Sequence, residues 1–519
     1  MFNHLPRKTN IIKSFAVSAV CAVLNILLGF GYRYLFVKIL SIEYLGINGL
    51  FLNILGVLSL AELGITNSIV YRFYDPISKD DVQKVGELMH FFKSAYLVIA
   101  GVIFGVGMAI TPFLKFLIKD TSEIPSDVNL YVVFVLFLLQ SVSSYLFSYK
   151  LTLLTADQKQ YQFSIISFII SFARYLAQII VLLITKNYTF TLLFGIGVLI
   201  FLNFISSQWV ASRYKDVFSV KTKLDVQERK NIYKDTSAAM FHKVGGTVIS
   251  STDSILLSKF IGLAITGIYS NYYLIIYYIQ WITWTLFSSF TSSLGNAHFM
   301  LDEDSRHAIY KKTLFVNFAV VGLMTVCAYS LIDDFILVWL RKPLFLDEIT
   351  VILIIVQFYI QAVRYVSTAY TSACGLFVRD KARPLIEAFL NLSISIIALK
   401  IFGIAGIFLG TIISCSLTTF WREPYLLYKY AFKRKVLEYW IDYIKNVIVV
   451  LLSILILNFS ANKLISVNGM PQYFILKALI CILVFALIHF LFFFRTEEYK
   501  YMISIILNFI KKFKRNDNN

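Results

Sequence analysis

Charge is scarce in this sequence. Only 15% of its 519 residues are Asp, Glu, Lys or Arg, against 58% apolar, where soluble domains average about 25% charged. The apolar residues run in blocks of about 20 or more, the length that crosses a hydrocarbon core of about 30 Å. No stretch reads as a soluble domain, which excludes a cytoplasmic glycosyltransferase with a nucleotide-binding module. Cysteine is sparse too: Cys21, Cys327, Cys374, Cys415 and Cys481 sit in separate apolar blocks. None is at metal-ligand or redox spacing from another, so they read as small apolar side chains. Of eight prolines, Pro76 and Pro112 fall near expected helix ends, where proline needs no special role. The net charge of +18 has no basic domain to concentrate it, which argues against nucleic acid. Lys and Arg punctuate the apolar blocks instead, and such an excess records membrane orientation.

What is present is a succession of fourteen candidate spans, an all-α polytopic membrane protein. The first apolar block follows Arg7, Lys8 and Lys13 and continues to about Leu40. That is too long for a signal-peptide core of about 7–15 residues, so it reads as a retained span. Lys and Arg number roughly 30 on one set of alternate connections and about 6 on the other. Both termini are therefore expected in the cytoplasm. The outer connections are short, too short for a module carrying acid/base chemistry, which weighs against a polymerase or ligase. The basic tail "KKFKRNDNN" is expected near anionic headgroups. The acidic stretch Leu301 to Asp304 reads as a solvated turn rather than a metal site, and no metal, cofactor or catalytic residue is expected.

The chain also matches itself. At an offset of 221 positions Lys38 meets Lys259, Gly46 meets Gly267, Phe51 meets Tyr272 and Gln140 meets Gln361. The copies begin at spans one and seven, with an even number of spans between. They are expected to form two parallel six-helix lobes around a central cavity: 1–220 (N-lobe), 221–435 (C-lobe), and 436–519 holding two extra spans and the tail.

The stretch "EYLGINGLFLNILGVLSLAELGITNSIVYRFYDP", Glu43 to Pro76, resembles the second-span signature of Wzx-type bacterial polysaccharide flippases. The elements that carry the likeness are Tyr44-Leu45-Gly46, Gly49-Leu50-Phe51, Leu60-Ala61-Glu62-Leu63-Gly64 and Tyr74-Asp75-Pro76. These flippases belong to the multidrug/oligosaccharidyl-lipid/polysaccharide exporter (MOP) superfamily. The resemblance implies a transporter rather than an enzyme. It would move undecaprenyl-diphosphate-linked oligosaccharide across the bacterial cytoplasmic membrane by alternating access, for O-antigen, capsule or exopolysaccharide biosynthesis. A coupling ion (H+ or Na+) and a polysaccharide polymerase are the expected partners besides lipid. A drug or cation exporter of the same superfamily is the nearest alternative.

Ionisable groups at membrane depth are costly and mark cavities or partners. Arg174 and Arg364 fall near mid-membrane, each followed by Tyr, and suit an anionic diphosphate. Arg33 and Asp253 lie roughly 10 and 13 Å below the outer ends of spans one and seven and are expected to pair as an outer gate. Glu62 and Lys243 lie roughly 13 and 10 Å from the opposite ends of spans two and seven and form the expected inner gate. Lys243 and Arg33 are also candidate cavity cations. Glu387 is a candidate gate or coupling carboxylate, or a partner for Arg364. His242 reads as a packed core histidine.

Overall fold

In the computed structural model the described backbone covers residues 7–62, 64–290, 300–380, 382–460 and 467–516. The side chain of His242 and those of the basic tail lie outside the described residues. Every expected span has its helix among them, and no described residue is in a strand.

The first helices in the chain are α1 (Arg7–Ile39), α2 (Ile42–Leu58), α3 (Ile65–Ser78), α4 (Val82–Ile110) and α5 (Leu130–Ser148). After the short α6 (Thr152–Ala156) come α7 (Gln160–Thr185), α8 (Tyr188–Arg213), the short α9 (Lys215–Ser219), α10 (Val226–Phe260) and α11 (Leu263–Ser288). Then follow α12 (Glu303–Leu340), α13 (Glu348–Ala362), α14 (Tyr365–Ala373), α15 (Arg383–Phe402), α16 (Ile404–Leu417) and α17 (Thr419–Leu426). The chain closes with α18 (Leu437–Phe459), α19 (Pro471–Phe493) and α20 (Glu497–Asn516).

Twelve described segments are long and apolar enough to cross a membrane. The helices for spans seven and eight are long enough, at 35 and 26 residues, but too polar to join them. Lys243, Asp253 and Lys259 interrupt α10, and α11 carries five tyrosines with Asn271 and Gln280. The two helices least suited to lipid are thus those that open the second repeat copy.

Helix starts are closed by short polar side chains. Asp81 accepts from the Lys84 N–H, Asn129 from Tyr131 and Val132, Asn187 from Phe190, Asp225 from Gln227 and Glu228, and Asp347 from Thr350. Such caps satisfy backbone donors that a helix cannot use itself. Asp302, in the acidic stretch, caps α12, and the hydrogen bonds from Ser305 hold its carboxyl below the usual carboxylate range. Its neighbours Glu303 and Asp304 pair with Lys433 and Arg434, at 2.5 and 2.8 Å.

By contacts the described residues divide into two compact units between Gly267 and Ile268. The division falls later than the repeat boundary expected at 220, because α10 packs on α2 and α3 of the first unit. Within that unit the repeat-matched glycines meet. A Cβ on Gly46 would stand 2.1 Å from the Leu263 carbonyl oxygen, and one on Gly267 would stand 2.2 Å from that of Ile42. Each glycine lets the backbone preceding the other approach, the reciprocal pattern of an isologous contact. In lipid, where apolar association gains little, such close approach is a main source of helix packing. Gly46→Val or Gly267→Val is expected to cost about 1–3 kcal/mol or more, read as a lower Tm of the purified protein.

Candidate functional site

Span two is not one helix. After Leu58 the chain tightens into a 3-10 turn over Ser59–Glu62, and Gly64 takes a left-handed φ of 82° before α3 begins. Only glycine adopts that conformation without penalty. Irregular backbone at membrane depth is tolerated only where protein buries it or a wet cavity receives it. The break occurs within "SLAELG", the part of the signature that carries the carboxylate.

Glu62 sits at this break and is held by two donors, one of them braced by a third residue. The Lys243 Nζ of α10 donates to its Oε2 at 2.9 Å. The Thr66 hydroxyl donates to its other oxygen. Because the Thr66 proton is spent there, Tyr96 of α4 donates to Thr66 Oγ1, at 2.5 Å. The Tyr96 ring in turn contacts Tyr145 of α5, centroids 5.3 Å apart. The side chains of Glu62 and Lys243 retain 19% and 32% of their exposure, so the pair is not sealed in protein. The structure therefore brings together the two residues expected at one gate.

Arg174, on α7, is of a different kind. No carboxylate lies within ion-pair distance among the described residues, and its Nε is buried without a hydrogen-bond partner. The guanidinium lies 4.8 Å from the Tyr175 ring centroid, and that ring meets Tyr32 of α1 at 5.3 Å. Arg33 follows Tyr32 in α1. The helices α1 and α7 thus place one guanidinium group and two tyrosine rings together in the first unit. Such a set suits a ligand that is anionic at one point and carries flat or C–H-rich faces at another.

Asp253 is buried, 5% exposed, and its Oδ1 has no hydrogen-bond partner. No ion pair joins it to Arg33 among the described residues, so the expected outer pair is not formed in this arrangement. An intramembrane carboxylate with an unused acceptor calls for an explanation in function.

The second unit corrects the picture for Arg364. It lies where span ten breaks, between α13 and α14, and Glu423 grips it from both sides. Nε donates to one carboxylate oxygen at 3.2 Å and Nη2 to the other at 3.0 Å, while Nη1 contacts the Cys415 sulfur. With 13% and 4% of their side chains exposed, the pair is closed to an anion in this arrangement. Glu387 is likewise held, by Arg383 at 3.0 Å and by Thr419. Arg383 also bonds Asp380, which takes a second contact from Arg422 at 2.5 Å. Three arginines and three carboxylates balance in one cluster. Arg364→Ala is expected to lower stability by about 3–5 kcal/mol by stranding Glu423, whereas R364L/E423L should recover most of the loss in Tm.

Sequence reasoning missed Asp380, Arg383, Arg422 and Glu423 as members of a site, because it counted the basic ones only as markers of orientation. It also missed Lys477, which pairs with Asp334 at 2.6 Å, and Asp333, which accepts from the Tyr272 hydroxyl. Asp333 and Asp334 lie within α12, which continues to Leu340.

No protein-family model and no curated protein matches the sequence. Solved structures do match. The lipid II flippase MurJ in an inward closed conformation aligns with 94% of this chain and 100% of its own, at a TM-score of 0.67 and 13% identity. A multidrug-resistance MATE-family transporter of the MOP superfamily, inward-facing, covers 78% and 96%, at 0.58 and 11%. The MATE multidrug transporter DinF-BH covers 83% and 98%, at 0.54 and 14%. At these identities the likeness is one of architecture, and the chain has the fold shared by MurJ and the MATE transporters of the MOP superfamily.

Proposed function

We propose that this protein is a flippase that carries undecaprenyl-diphosphate-linked oligosaccharide from the inner to the outer leaflet of a bacterial cytoplasmic membrane. The observation that carries this reading is Arg174, a cation at membrane depth without a carboxylate partner among the described residues, with the rings of Tyr175 and Tyr32 beside it. A diphosphate supplies the missing negative charge, and sugar rings fit against tyrosine faces. The two copies of the repeat act as lobes that open to one side at a time. The headgroup follows a polar path past Arg174 while the polyprenyl tail stays in lipid, so sugar and phosphate are never desolvated into hydrocarbon. Glu62 and Lys243 close one end of the path, and breaking their bond opens it. Asp253 is the coupling carboxylate, exchanging H+ or Na+, and a polymerase consumes the delivered unit.

Asp253 also favours a second reading, an exporter of organic cations, since a buried carboxylate with a free acceptor attracts positive charge. The two readings separate in cells. Without the protein, the lipid-linked oligosaccharide is expected to accumulate in the cytoplasmic leaflet. Wild type should clear it and Arg174→Ala should not. Normal leaflet distribution without the protein, together with sensitivity to cationic dyes, would favour the exporter.

A further inference from the structure

A cavity of about 340 Å³ opens in the second unit, whereas Arg174 belongs to the first. It lies between α12, α18, the end of α19 and the first turn of α20. Its size falls in the range of ligand pockets, about 300–1,000 Å³. Four charged groups line it, Lys311, Lys445, Asp442 and Glu498, and phenylalanines of α12 and α19 form much of the rest. Lys311 stands 3.8 Å from Asp442 and 3.8 Å from Glu498, shared between two carboxylates and within hydrogen-bond distance of neither. Lys445 has no carboxylate within ion-pair distance among the described residues. The charges are therefore gathered around a space but not satisfied by one another.

The sign count sets the class of ligand. Two cations and two anions give no net charge, so a purely anionic group would meet Asp442 and Glu498 as well as the lysines. A purely cationic group would meet the converse. A headgroup carrying both signs pairs with all four. The level in the membrane agrees: Phe493 ends α19, Thr496 precedes the amphipathic α20, and Glu498 lies in its first turn. With the orientation given by the Lys and Arg distribution, this is the height of the cytoplasmic headgroups. At the cavity rim Phe492 is 46% exposed and its neighbour Leu491 60%, an apolar face along which acyl chains can lie.

We propose that this cavity binds a zwitterionic phospholipid of the phosphoethanolamine class. The phosphate is held by Lys445 and Lys311, and the primary ammonium by Asp442 and Glu498. A primary ammonium donates three hydrogen bonds and a quaternary one none, so the site prefers ethanolamine over choline. Because Glu498 belongs to α20, the bound headgroup ties that helix to α12 and α18.

The test uses the purified full-length protein in detergent, titrated with phosphatidylethanolamine, phosphatidylcholine, phosphatidylglycerol and water-soluble glycerophosphoethanolamine. Binding is read by native mass spectrometry and by the shift in Tm. Phosphatidylethanolamine is expected to bind at least about tenfold more tightly than the other two lipids, and Lys445→Gln or Glu498→Gln to remove about tenfold, the effect of one charge-assisted contact. Arg174→Ala, in the other unit, should leave this binding intact even where it stops transport. If a variant fails to fold, the ranking of lipids on the wild type still decides. Equal or tighter binding of phosphatidylglycerol or phosphatidylcholine would overturn the proposal. So would glycerophosphoethanolamine binding as tightly as the lipid, which would make the ligand a soluble zwitterion.

Discussion

Glu62→Lys is expected to abolish transport, Lys243→Glu to do the same, and the combined E62K/K243E to restore a substantial part of it. The two side chains meet at 2.9 Å. For charges near 4 Å in a partly screened environment the attraction is on the order of 4 kcal/mol, and either single reversal turns it into repulsion of similar size. The double reversal brings back the attraction with the sites exchanged. Exposure of 19% and 32% reduces the magnitude but not the sign. A static packing role and a gate differ in what the neutral variants do. If the pair only holds helices together, Glu62→Gln should lower Tm and transport in step. If it opens and closes, Glu62→Gln should change stability by no more than about 1 kcal/mol while making a cysteine placed near the 3-10 turn more reactive to aqueous reagents. The rate of labelling, compared in wild type and Glu62→Gln, separates the two.

Arg174→Ala carries the second large effect, a fall in transport on the order of 100-fold, which corresponds to about 2.7 kcal/mol of lost interaction with a doubly charged headgroup. The argument rests on what the residue does not touch. Since no carboxylate faces Arg174 among the described residues, removing it strands no opposite charge. It relieves a buried Nε that has no acceptor, so Tm should hold or rise. Arg364→Ala is the contrasting control: it removes half of a two-pronged pair and should lower Tm first. Arg174→Lys keeps the charge but loses the planar, paired donors and is expected to retain part of the transport. Tyr175→Leu, which removes the stacking ring, should weaken transport by a smaller factor, about 3–10-fold, the scale of a cation–π contact.

Much of this arrangement was legible before any coordinates. Block length alone located a helix for each expected span, twelve of them apolar enough to cross a membrane among the described residues, and counting residues from the helix ends placed Glu62 and Lys243 at compatible heights, where they are found bonded. The offset of 221 picked out Gly46 and Gly267, which meet backbone to backbone. Three things were hidden, each for a physical reason. The break at Ser59–Glu62 lies in an unbroken apolar run, and hydropathy does not register a change from α-helix to 3-10 turn. Arg364 seemed open because its partner Glu423 stands in a stretch that reads as a basic connection. There Arg383 and Arg422 look like orientation markers, whereas in the fold they neutralise Asp380, Glu387 and Glu423. The unequal fates of Arg174 and Arg364, both Arg-Tyr steps near mid-membrane, follow from three-dimensional neighbours that spacing does not report.

The two-unit division adds a constraint on the mechanism. With α10 packed in the first unit, the Glu62–Lys243 bond is internal to that unit. Opening it therefore requires α10 to move relative to the broken span two. The 3-10 turn and Gly64 supply a place where the chain can bend without unwinding a continuous helix.

The central claim is that a cationic site at Arg174 receives a negatively charged, sugar-bearing lipid. It is tested most directly by purified protein in liposomes loaded with the host's own polyprenyl-diphosphate-linked oligosaccharides, with leaflet exposure followed by an impermeant sugar-modifying reagent. The account predicts that wild type exposes the inner-leaflet pool, that Arg174→Ala behaves close to protein-free vesicles while keeping its Tm, and that organic cations are not moved. Exposure equal in wild type, Arg174→Ala and protein-free vesicles would contradict it, as would transport of organic cations that is indifferent to Arg174.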